Sequence, residues 1–375
     1  MKKIIVLLMA VFVLLSTVAC GQKNPKVPSP SENVNPNGSE SQKEIEGETT
    51  DPPVNFKVGL VLSIGGLGDK NFNDMSYEGL VEAQNILGIS FDYLESESPS
   101  DYAPNFRMFC ETGEYDLIIG MGSDQADGIL EVVEDFPEQK FSHIDSALDD
   151  PRVSAVATKW QEQTFLTGVM AGLGTTGGMK FSNADANVVG VILGMDNPVL
   201  RAGVVGYIAG VKYVNRDCEV LEGVVDSFND PGKGKEIALS MYNQGADFVQ
   251  SIAGASGLGI YNAAKDAGRY AFGVGANVNY HEPDNIPATA LRNVNEMVFS
   301  EIKRALEGEW EGNLRISGIA EGSVGIDMTQ TNVEIPSDIL TAIEDIRQLI
   351  VDGKLEPPET ADMLEQWLDD NHYQG

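Results

Sequence analysis

The sequence predicts an α/β protein with two doubly wound parallel sheets, one in each of two lobes. From residue 56 onward, short apolar runs alternate with amphipathic stretches, and this rhythm restarts after residue 186. The runs are continuous rather than alternating, which is typical of strands covered by helices on both faces of a parallel sheet. Residues 54–375 are enough for two domains of ordinary size.

The first series of apolar runs predicts five strands, and the stretches between them predict helices. Residues 77–87 place Leu80, Ala83 and Leu87 at helical spacing, and residues 127–136 form a second amphipathic stretch. The predicted strands are "FKVGLVL" (56–62), "ISFDYL" (89–94), "YDLIIGMG" (115–122), "FSHIDS" (141–146) and "VSAVAT" (153–158).

The second series predicts four strands and three helices, at 200–214, 232–244 and 257–267. The strands are "NVVGVILG" (187–194), "EVLEGVVDS" (219–227), "DFVQSIAG" (247–254) and "YAFGVGAN" (270–277). A helix at 161–173 links the two series, and a lone strand at 288–294 precedes another helical stretch. We therefore expect a first lobe from residues 54–160 and 289–355, a second lobe from 161–288, and a C-terminal tail at 356–375.

The first twenty residues are typical of a lipoprotein signal peptide. A basic "MKK" precedes the apolar "IIVLLMAVFVLL", and "STVAC" ends in small residues and Cys20. We expect Cys20 to be lipidated and to anchor the protein outside the cytoplasm, on the bacterial cell membrane. An ordinary signal peptide with an incidental cysteine is the alternative. Residues 21–53 are rich in Ser, Asn, Pro, Gly and charges, which predicts a disordered tether.

The charge and the cysteines limit the possible partners and cross-links. With 25 basic and 57 acidic residues, the formal net charge is −32. Such acidity argues against nucleic acid as a binding partner and against charge-driven binding to an anionic membrane surface. Apart from Cys20, the cysteines are Cys110 and Cys218, and a chain of this size needs no disulfide scaffold. Two buried free thiols are expected.

Candidate binding residues follow the predicted strands, because ligands of doubly wound sheets sit beyond the carboxyl ends of strands. They are small, amide, carboxylate and aromatic residues suited to a neutral polar ligand with a ring. The alternative is that such residues are simply common in turns and helix caps. The main candidates from strand ends are Ser63, Gly66, Asp69, Phe72, Asn73, Asp145, Trp160, Asp196, Asp226, Gly254 and Asn277, within a wider set that also includes Gly122, Ser123, Ser146, Asn197 and Phe228.

Enzymatic signatures are weak in this sequence. The three histidines, at 143, 281 and 372, lack metal-ligand spacing, and no serine has a nucleophile-elbow context. The phosphate-binding motif GxxxxGK[ST] does not occur, and the glycines of "GASGLG" (254–259) are misplaced for a dinucleotide fingerprint. We expect a binding protein without catalytic residues, cofactor or metal.

Five stretches carry a resemblance to the basic membrane protein family of bacterial lipoproteins. They are "GGLGDKNFND", "IDSALDDPRVSAV", "EQTFLTGVMAGL", "SFNDPGKGKEIA" and "GADFVQSIAGASGLGIYNAAKDAG", within about residues 56–330. The resemblance implies a type I periplasmic-binding-protein clamshell that captures a nucleoside and delivers it to an ABC permease. It also implies that Phe72 stacks on the base, that Asp69 and Asn73 shape the pocket, and that Asp145 matches a family carboxylate.

At four positions the sequence departs from the pattern that this resemblance implies. Ser63 and Gly275 stand where the family has aspartates, Gly203 stands at an aromatic position, and Arg292 replaces a ribose-supporting lysine. We therefore expect weaker binding of ordinary purine nucleosides, with Arg292 near the hinge favouring a ligand that carries negative charge.

The interpretation that follows is a monomeric substrate-binding lipoprotein of an ABC importer. Its partners would be a small-molecule ligand, nucleoside-like by resemblance, a permease and the membrane through the lipid. A surface sensor or co-receptor that is not coupled to transport is the alternative. Permease genes beside this one would favour transport.

Overall fold

The computed structural model describes residues 54–69 and 71–373. The predicted signal peptide, Cys20 and the predicted tether lie outside the described residues. Within the described part of the chain, the helices are all too short or too polar to cross a membrane.

The first sheet has six strands and is parallel throughout. Its spatial order is β11-β5-β4-β3-β1-β2. Its strands are β1 (Lys57–Val61), β2 (Ser90–Leu94), β3 (Leu117–Met121), β4 (Phe141–Ile144), β5 (Val153–Thr158) and β11 (Leu314–Ser317). Strands β3 and β4 are buried along their whole length, which explains their continuous apolar sequences.

The second sheet also has six strands, in the spatial order β12-β10-β9-β8-β6-β7. All neighbours are parallel except β10 and β12, which pair antiparallel at one edge. Its strands are β6 (Val188–Leu193), β7 (Glu219–Val224), β8 (Ala246–Ile252), β9 (Tyr270–Gly275), β10 (Thr289–Arg292) and β12 (Val324–Asp327). Two parallel-dominated sheets confirm the predicted α/β class.

Helices cover both faces of each sheet. They are α1 (Phe72–Leu87), α2 (Tyr102–Thr112), α3 (Ala126–Val133), α4 (Trp160–Gly174), α5 (Pro198–Val214), α6 (Pro231–Asn243), α7 (Gly257–Ala267), α8 (Val294–Leu306), α9 (Ser337–Val351) and α10 (Ala361–Asp370). In the first lobe, α1 and α8 pack on one face and α2 and α3 on the other. In the second lobe, α4, α5 and α9 oppose α6 and α7.

Local sequence explains where several helices begin and end. Helix α1 ends at Gly88, whose φ of 72° is a left-handed conformation that glycine adopts without strain. Helix α5 begins at Asn197, whose side chain accepts from the Leu200 amide at 3.0 Å, and Pro198 occupies the first helical position.

The predicted assignment of residues 289–355 to the first lobe is wrong for more than half of its elements. Helix α8 and strand β11 do belong to the first lobe, but β10 and β12 are strands of the second sheet. Helix α9 packs on α4, with Ile339 and Ile343 in the core of the second lobe. The apolar pattern predicts the strand at 288–294 and the helix after it, whereas sheet membership depends on pairing with distant strands.

The predicted C-terminal tail contains helix α10. Trp367 on this helix packs against Phe165 and Tyr213, with ring centroids 5.8 and 5.6 Å away. Arg216 forms ion pairs with Glu365 and Asp369, so the helix lies against the second lobe.

The chain crosses between the sheets three times, and hydrogen bonds join the crossing segments. The Lys159 amide donates to the Ser317 carbonyl at 2.9 Å, and the Asn293 amide donates to the Ser323 carbonyl at 2.8 Å. The buried Glu162 carboxylate accepts from the Lys159 ammonium at 2.9 Å and from the Ile319 amide at 2.8 Å. These crossing segments, around residues 159–162, 292–294 and 317–323, form the hinge, and hydrogen bonds join them to one another.

Both predicted free thiols are confirmed as buried. Cys110 lies in the first lobe and Cys218 in the second, and neither forms a disulfide. Burial raises the pKa of each thiol to about 12, so both are inert at neutral pH.

Candidate ligand-binding site

A cleft of about 780 Å³ lies between the carboxyl ends of the two sheets. Its volume is in the range of pockets that hold small molecules. The walls come from both lobes and from the hinge. They comprise Phe72, Gly122, Ser123, Asp124, Asp145, Ser146, Ala147, Ala157, Thr158, Lys159, Trp160, Gln161, Asn197, Pro198, Val199, Leu200, Ala202, Phe228, Arg292, Ile316 and Glu359.

An ion pair between the two sheets lies in this cleft. Arg292, the last residue of β10, donates to Asp145 at 2.7 Å, and Asp145 follows β4 of the other sheet. The Thr158 hydroxyl donates to the second oxygen of Asp145 at 3.0 Å. Asp145 has a φ of 57°, a left-handed conformation that is uncommon outside glycine and frequent at functional sites.

Two aromatic rings contact the Arg292 guanidinium. Its central carbon lies 5.5 Å from the Phe72 ring centroid and 4.8 Å from that of Trp160. Both distances are within the range of cation–π attraction. Phe72 begins α1 and Trp160 begins α4, so a helix start from the first lobe and one from the hinge meet at this cation.

Gly203 provides space for the Trp160 indole. A Cβ placed on Gly203 would lie 3.5 Å from Cε3 of Trp160 and 3.2 Å from Cδ1 of Ile252. The position at which the family resemblance implies an aromatic side chain is thus packed against an aromatic from a different helix.

A buried neutral histidine lies beneath the cleft. The Nε2 of His143 is 2.7 Å from the carbonyl oxygen of Gly122, a cleft residue. Burial lowers the pKa of His143 to about 4, so the ring is uncharged at neutral pH. It adds no positive charge to the site.

The turn after β1 is organised largely by its own side chains. The Asp69 carboxylate accepts from the backbone amides of Asn71, Asn73 and Asp74 at 2.9, 2.9 and 3.2 Å. Asn73 is buried and accepts from the Ser63 amide at 2.9 Å, and the Ser63 hydroxyl donates to the Met121 carbonyl at 2.8 Å. These three residues support the loop that presents Phe72 and do not themselves line the cleft.

Gly66 has a related supporting position. Its φ is 60°, and a Cβ there would lie 3.0 Å from the Glu95 carboxylate. The Glu95 side chain accepts from the Leu67 amide at 3.3 Å. The glycine therefore permits a close approach within the loop.

The structure places the second-lobe candidates outside the cleft walls. Asp196 pairs with Arg201 at 2.7 Å, and Asp226 pairs with Lys233 at 3.2 Å. Asn277 donates to Asp327 at 2.9 Å, at the end of the edge strand β12. Gly254 has a φ of 55°, and a Cβ there would lie 3.4 Å from the Phe228 side chain.

Arg292, which we expect to favour an anionic ligand, already has a carboxylate partner in this structure. Its guanidinium is paired with Asp145, and both side chains are largely buried. The second cation of the cleft, Lys159, pairs with Glu162. Asp124 and Glu359 add two carboxylates to the walls. The walls thus hold three carboxylates, those of Asp124, Asp145 and Glu359, and two cations, those of Lys159 and Arg292.

Phe228, one of the residues that follow the predicted strands, lines the cleft. It follows β7, is 43% exposed and supplies an aromatic surface from the second lobe. Asn197, which follows β6 and belongs to the same set of strand-end residues, also lines the cleft.

The sequence matches the profile of a family described as "ABC transporter substrate-binding protein PnrA-like" over residues 56–360. The chain belongs to this family. A CD4+ T-cell-stimulating antigen of Listeria monocytogenes is 30% identical over 327 residues, which cover 81% of this chain and 88% of the relative. The ABC transporter nucleoside-binding protein BmpA of Lactococcus lactis is 27% identical over 328 residues, or 81% of this chain and 90% of the relative.

Solved structures of transport proteins share the fold. An ABC transporter solute-binding protein from Aeropyrum pernix superposes with a TM-score of 0.67 at 25% identity, over 84% of this chain and 98% of that one. The predicted periplasmic-binding-protein architecture and the predicted family are confirmed. The protein is a substrate-binding protein of the ABC transporter type, and neither its family nor its fold is that of an enzyme.

Proposed function

We propose that the protein is the lipid-anchored receptor of an ABC importer and that it captures a nucleoside between its two lobes. The observation that carries the proposal is a cleft lined by the rings of Phe72, Trp160 and Phe228 and by the charge-compensated Asp145–Arg292 pair. Aromatic faces stack on planar bases, and each stacked base is worth about 1–3 kcal/mol. Closure of the lobes would sequester the ligand and present the closed form to the permease.

The polar groups of the cleft suit an uncharged ligand with several hydroxyls. Ser123, Ser146 and Asn197 offer hydroxyl and amide groups on the walls. The Nε of Arg292 is buried and has no hydrogen-bond partner within the described residues. To donate to a ring nitrogen or a carbonyl oxygen of a base, this nitrogen would first have to become exposed to the cleft.

Phe72, Asp145, Trp160 and Arg292 are the ligand-contacting residues in this proposal. Ser63, Gly66, Asp69 and Asn73 support the first-lobe loop, and Gly254 supports Phe228. Asp196, Asp226 and Asn277 would contact the ligand only after rearranging their present pairings.

The anchoring part of the proposal rests on the N-terminal sequence and on relatives. Residues 1–20 combine a basic start, an apolar run and a small-residue ending before Cys20. A relative from Pyrococcus horikoshii that is 30% identical over 300 residues is described as a lipoprotein. Mass spectrometry of the membrane-bound protein should find acyl groups on Cys20, and Cys20→Ala should abolish them. An unacylated N-terminus elsewhere would contradict this part of the proposal.

A ligand panel tests the binding proposal. The full chain would be melted with inosine, guanosine, adenosine, uridine, a hexose and an amino acid, and positive ligands would then be titrated calorimetrically. A ligand at 100 times its Kd stabilises the folded state by about 2.7 kcal/mol, so a nucleoside should raise Tm clearly. A shift with the hexose or the amino acid, and none with any nucleoside, would overturn the ligand assignment.

A matched pair of variants connects the binding to the cleft. Phe72→Ala should reduce the nucleoside-dependent shift, whereas Glu344→Gln should not. Glu344 lies on α9, where it pairs with Arg347 on the surface at 2.6 Å. Equal loss in both variants would show that the shift does not report on this cleft.

A further inference from the structure

One side chain reaches from the first lobe to the backbone of the second. Asn71 lies in the turn before α1, and its Oδ1 accepts a hydrogen bond from the Ala276 amide at 3.2 Å. Ala276 directly follows β9, a strand of the second sheet. The bond therefore joins the turns that follow β1 and β9 in different lobes.

Gly275, the residue before Ala276, leaves space for the Asn71 side chain. Gly275 has a φ of 89°, a conformation that side chains rarely permit. A Cβ placed there would lie 2.8 Å from Oδ1 and 3.3 Å from Nδ2 of Asn71, closer than ordinary van der Waals contact. Glycine at 275 is thus required both by the backbone conformation and by the approach of Asn71.

The same residue is coupled to the aromatic wall of the cleft. Asn71 immediately precedes Phe72, and its carbonyl accepts from the Met75 amide at 2.8 Å in the first turn of α1. The Asn71 amide in turn donates to Asp69 at 2.9 Å. A force on the Asn71 side chain therefore acts on the backbone that carries the Phe72 ring.

We propose that Asn71 and Gly275 form a latch that holds the lobes together and sets the dissociation rate of the ligand. Asn71 is a positioning residue in this scheme, because it acts on the lobes and on Phe72 rather than on the ligand. The ligand-binding part of the proposal rests on the proposed function, whereas the latch itself does not.

Hydrogen exchange of the ligand-free full chain tests the latch directly. Asn71→Ala removes the acceptor, so the amide in the segment around Ala276 should exchange about 2- to 12-fold faster, the range that one neutral hydrogen bond supports. Asn71→Asp retains an acceptor and should restore most of the protection. Wild-type exchange in Asn71→Ala, or equal acceleration in Asn71→Asp, would overturn the latch.

Gly275→Ala approaches the same contact from the other side. As a single substitution it should accelerate exchange of the Ala276 amide. The double variant Asn71→Ala/Gly275→Ala should exchange little faster than Asn71→Ala alone, because both substitutions disrupt the same contact. Fully additive effects would contradict the coupling. Should Gly275→Ala fail to fold, the two Asn71 variants still decide the question.

Stopped-flow measurement with the nucleoside found in the panel tests whether the latch sets the dissociation rate of the ligand. Asn71→Ala should raise the dissociation rate by a factor similar to the exchange effect and leave the association rate nearly unchanged. An unchanged dissociation rate together with faster exchange would overturn the role in ligand retention. A protein that binds no nucleoside but shows the exchange effects would retain the latch while refuting the proposed function.

Discussion

Two aspartate–arginine pairs have the same chemistry and different surroundings. Asp145–Arg292 and Asp196–Arg201 both have a shortest nitrogen–oxygen distance of 2.7 Å. The side chains of the first pair are 15% and 13% exposed, whereas those of the second are 53% and 39% exposed. The first pair joins two sheets inside the cleft, and the second lies near the start of one helix.

The difference shows that surroundings, rather than the pair itself, decide its consequences. Arg292 also contacts two aromatic rings, and Asp145 also accepts from Thr158. Arg201 instead forms a second exposed pair with Glu222 at 2.7 Å. A charge in water is screened and solvated, so an exposed pair contributes little, whereas removing one partner of a buried pair leaves an uncompensated charge.

The largest expected effect comes from Arg292→Ala. It would leave the Asp145 carboxylate largely buried without its cationic partner, and we expect a loss of about 3 kcal/mol in the free energy of unfolding. Urea denaturation would measure this loss, with Arg201→Ala as the matched control that should change it little. Similar losses in the two variants would end the distinction between the pairs.

The second prediction concerns the ring next to the buried pair. Phe72→Ala should weaken nucleoside binding by about 2 kcal/mol, because one stacking face is lost. Phe72 is only partly buried against the first-lobe core, so its truncation should change the unfolding free energy less than truncation of a fully buried phenylalanine. Calorimetric titration and melting measure the two quantities separately. Unchanged affinity with a large fall in Tm would assign Phe72 to the core.

The third prediction tests whether His143, two residues before Asp145, is held neutral by burial. His143 has a folded-state pKa of about 4, below the ordinary 6.5, so the unfolded chain takes up a proton first as the pH falls. The stability that the folded protein gains from a neutral, buried His143 is fully present above about pH 7 and is lost progressively toward pH 4. Between pH 7 and pH 5.5 it should cost about 1 kcal/mol of unfolding free energy.

A His143→Gln variant provides the comparison for this pH dependence. Its stability should fall less than that of the wild type between pH 7 and pH 5.5, as followed by urea denaturation at each pH. Parallel curves for the two proteins would show that His143 is not held neutral by burial.

The smallest expected effect comes from Asp196→Asn. Because this carboxylate is exposed and lies outside the cleft walls, we expect no measurable change in Tm or in nucleoside affinity. A clear loss of affinity would restore Asp196 to the binding site and show that its pairing with Arg201 rearranges when ligand binds.

The sequence by itself determined the type of most elements up to residue 306 and several residues of the cleft. Continuous apolar runs predicted buried parallel strands, since burial on both faces leaves few polar positions. The rule that ligands lie beyond carboxyl strand ends led to Phe72, Asp145 and Trp160, and the family resemblance led to Arg292. All four line the observed cleft.

Only the tertiary structure decided which distant residues meet. Strands β10 and β12 belong to the second sheet rather than the first. Arg292 pairs with a residue 147 positions away, and Asn71 contacts Ala276 across 205 positions. Local patterns report whether a residue is buried or turns the chain, because those properties depend on near neighbours. Pairing between lobes depends on how two complete sheets are brought together, and no local pattern carries that information.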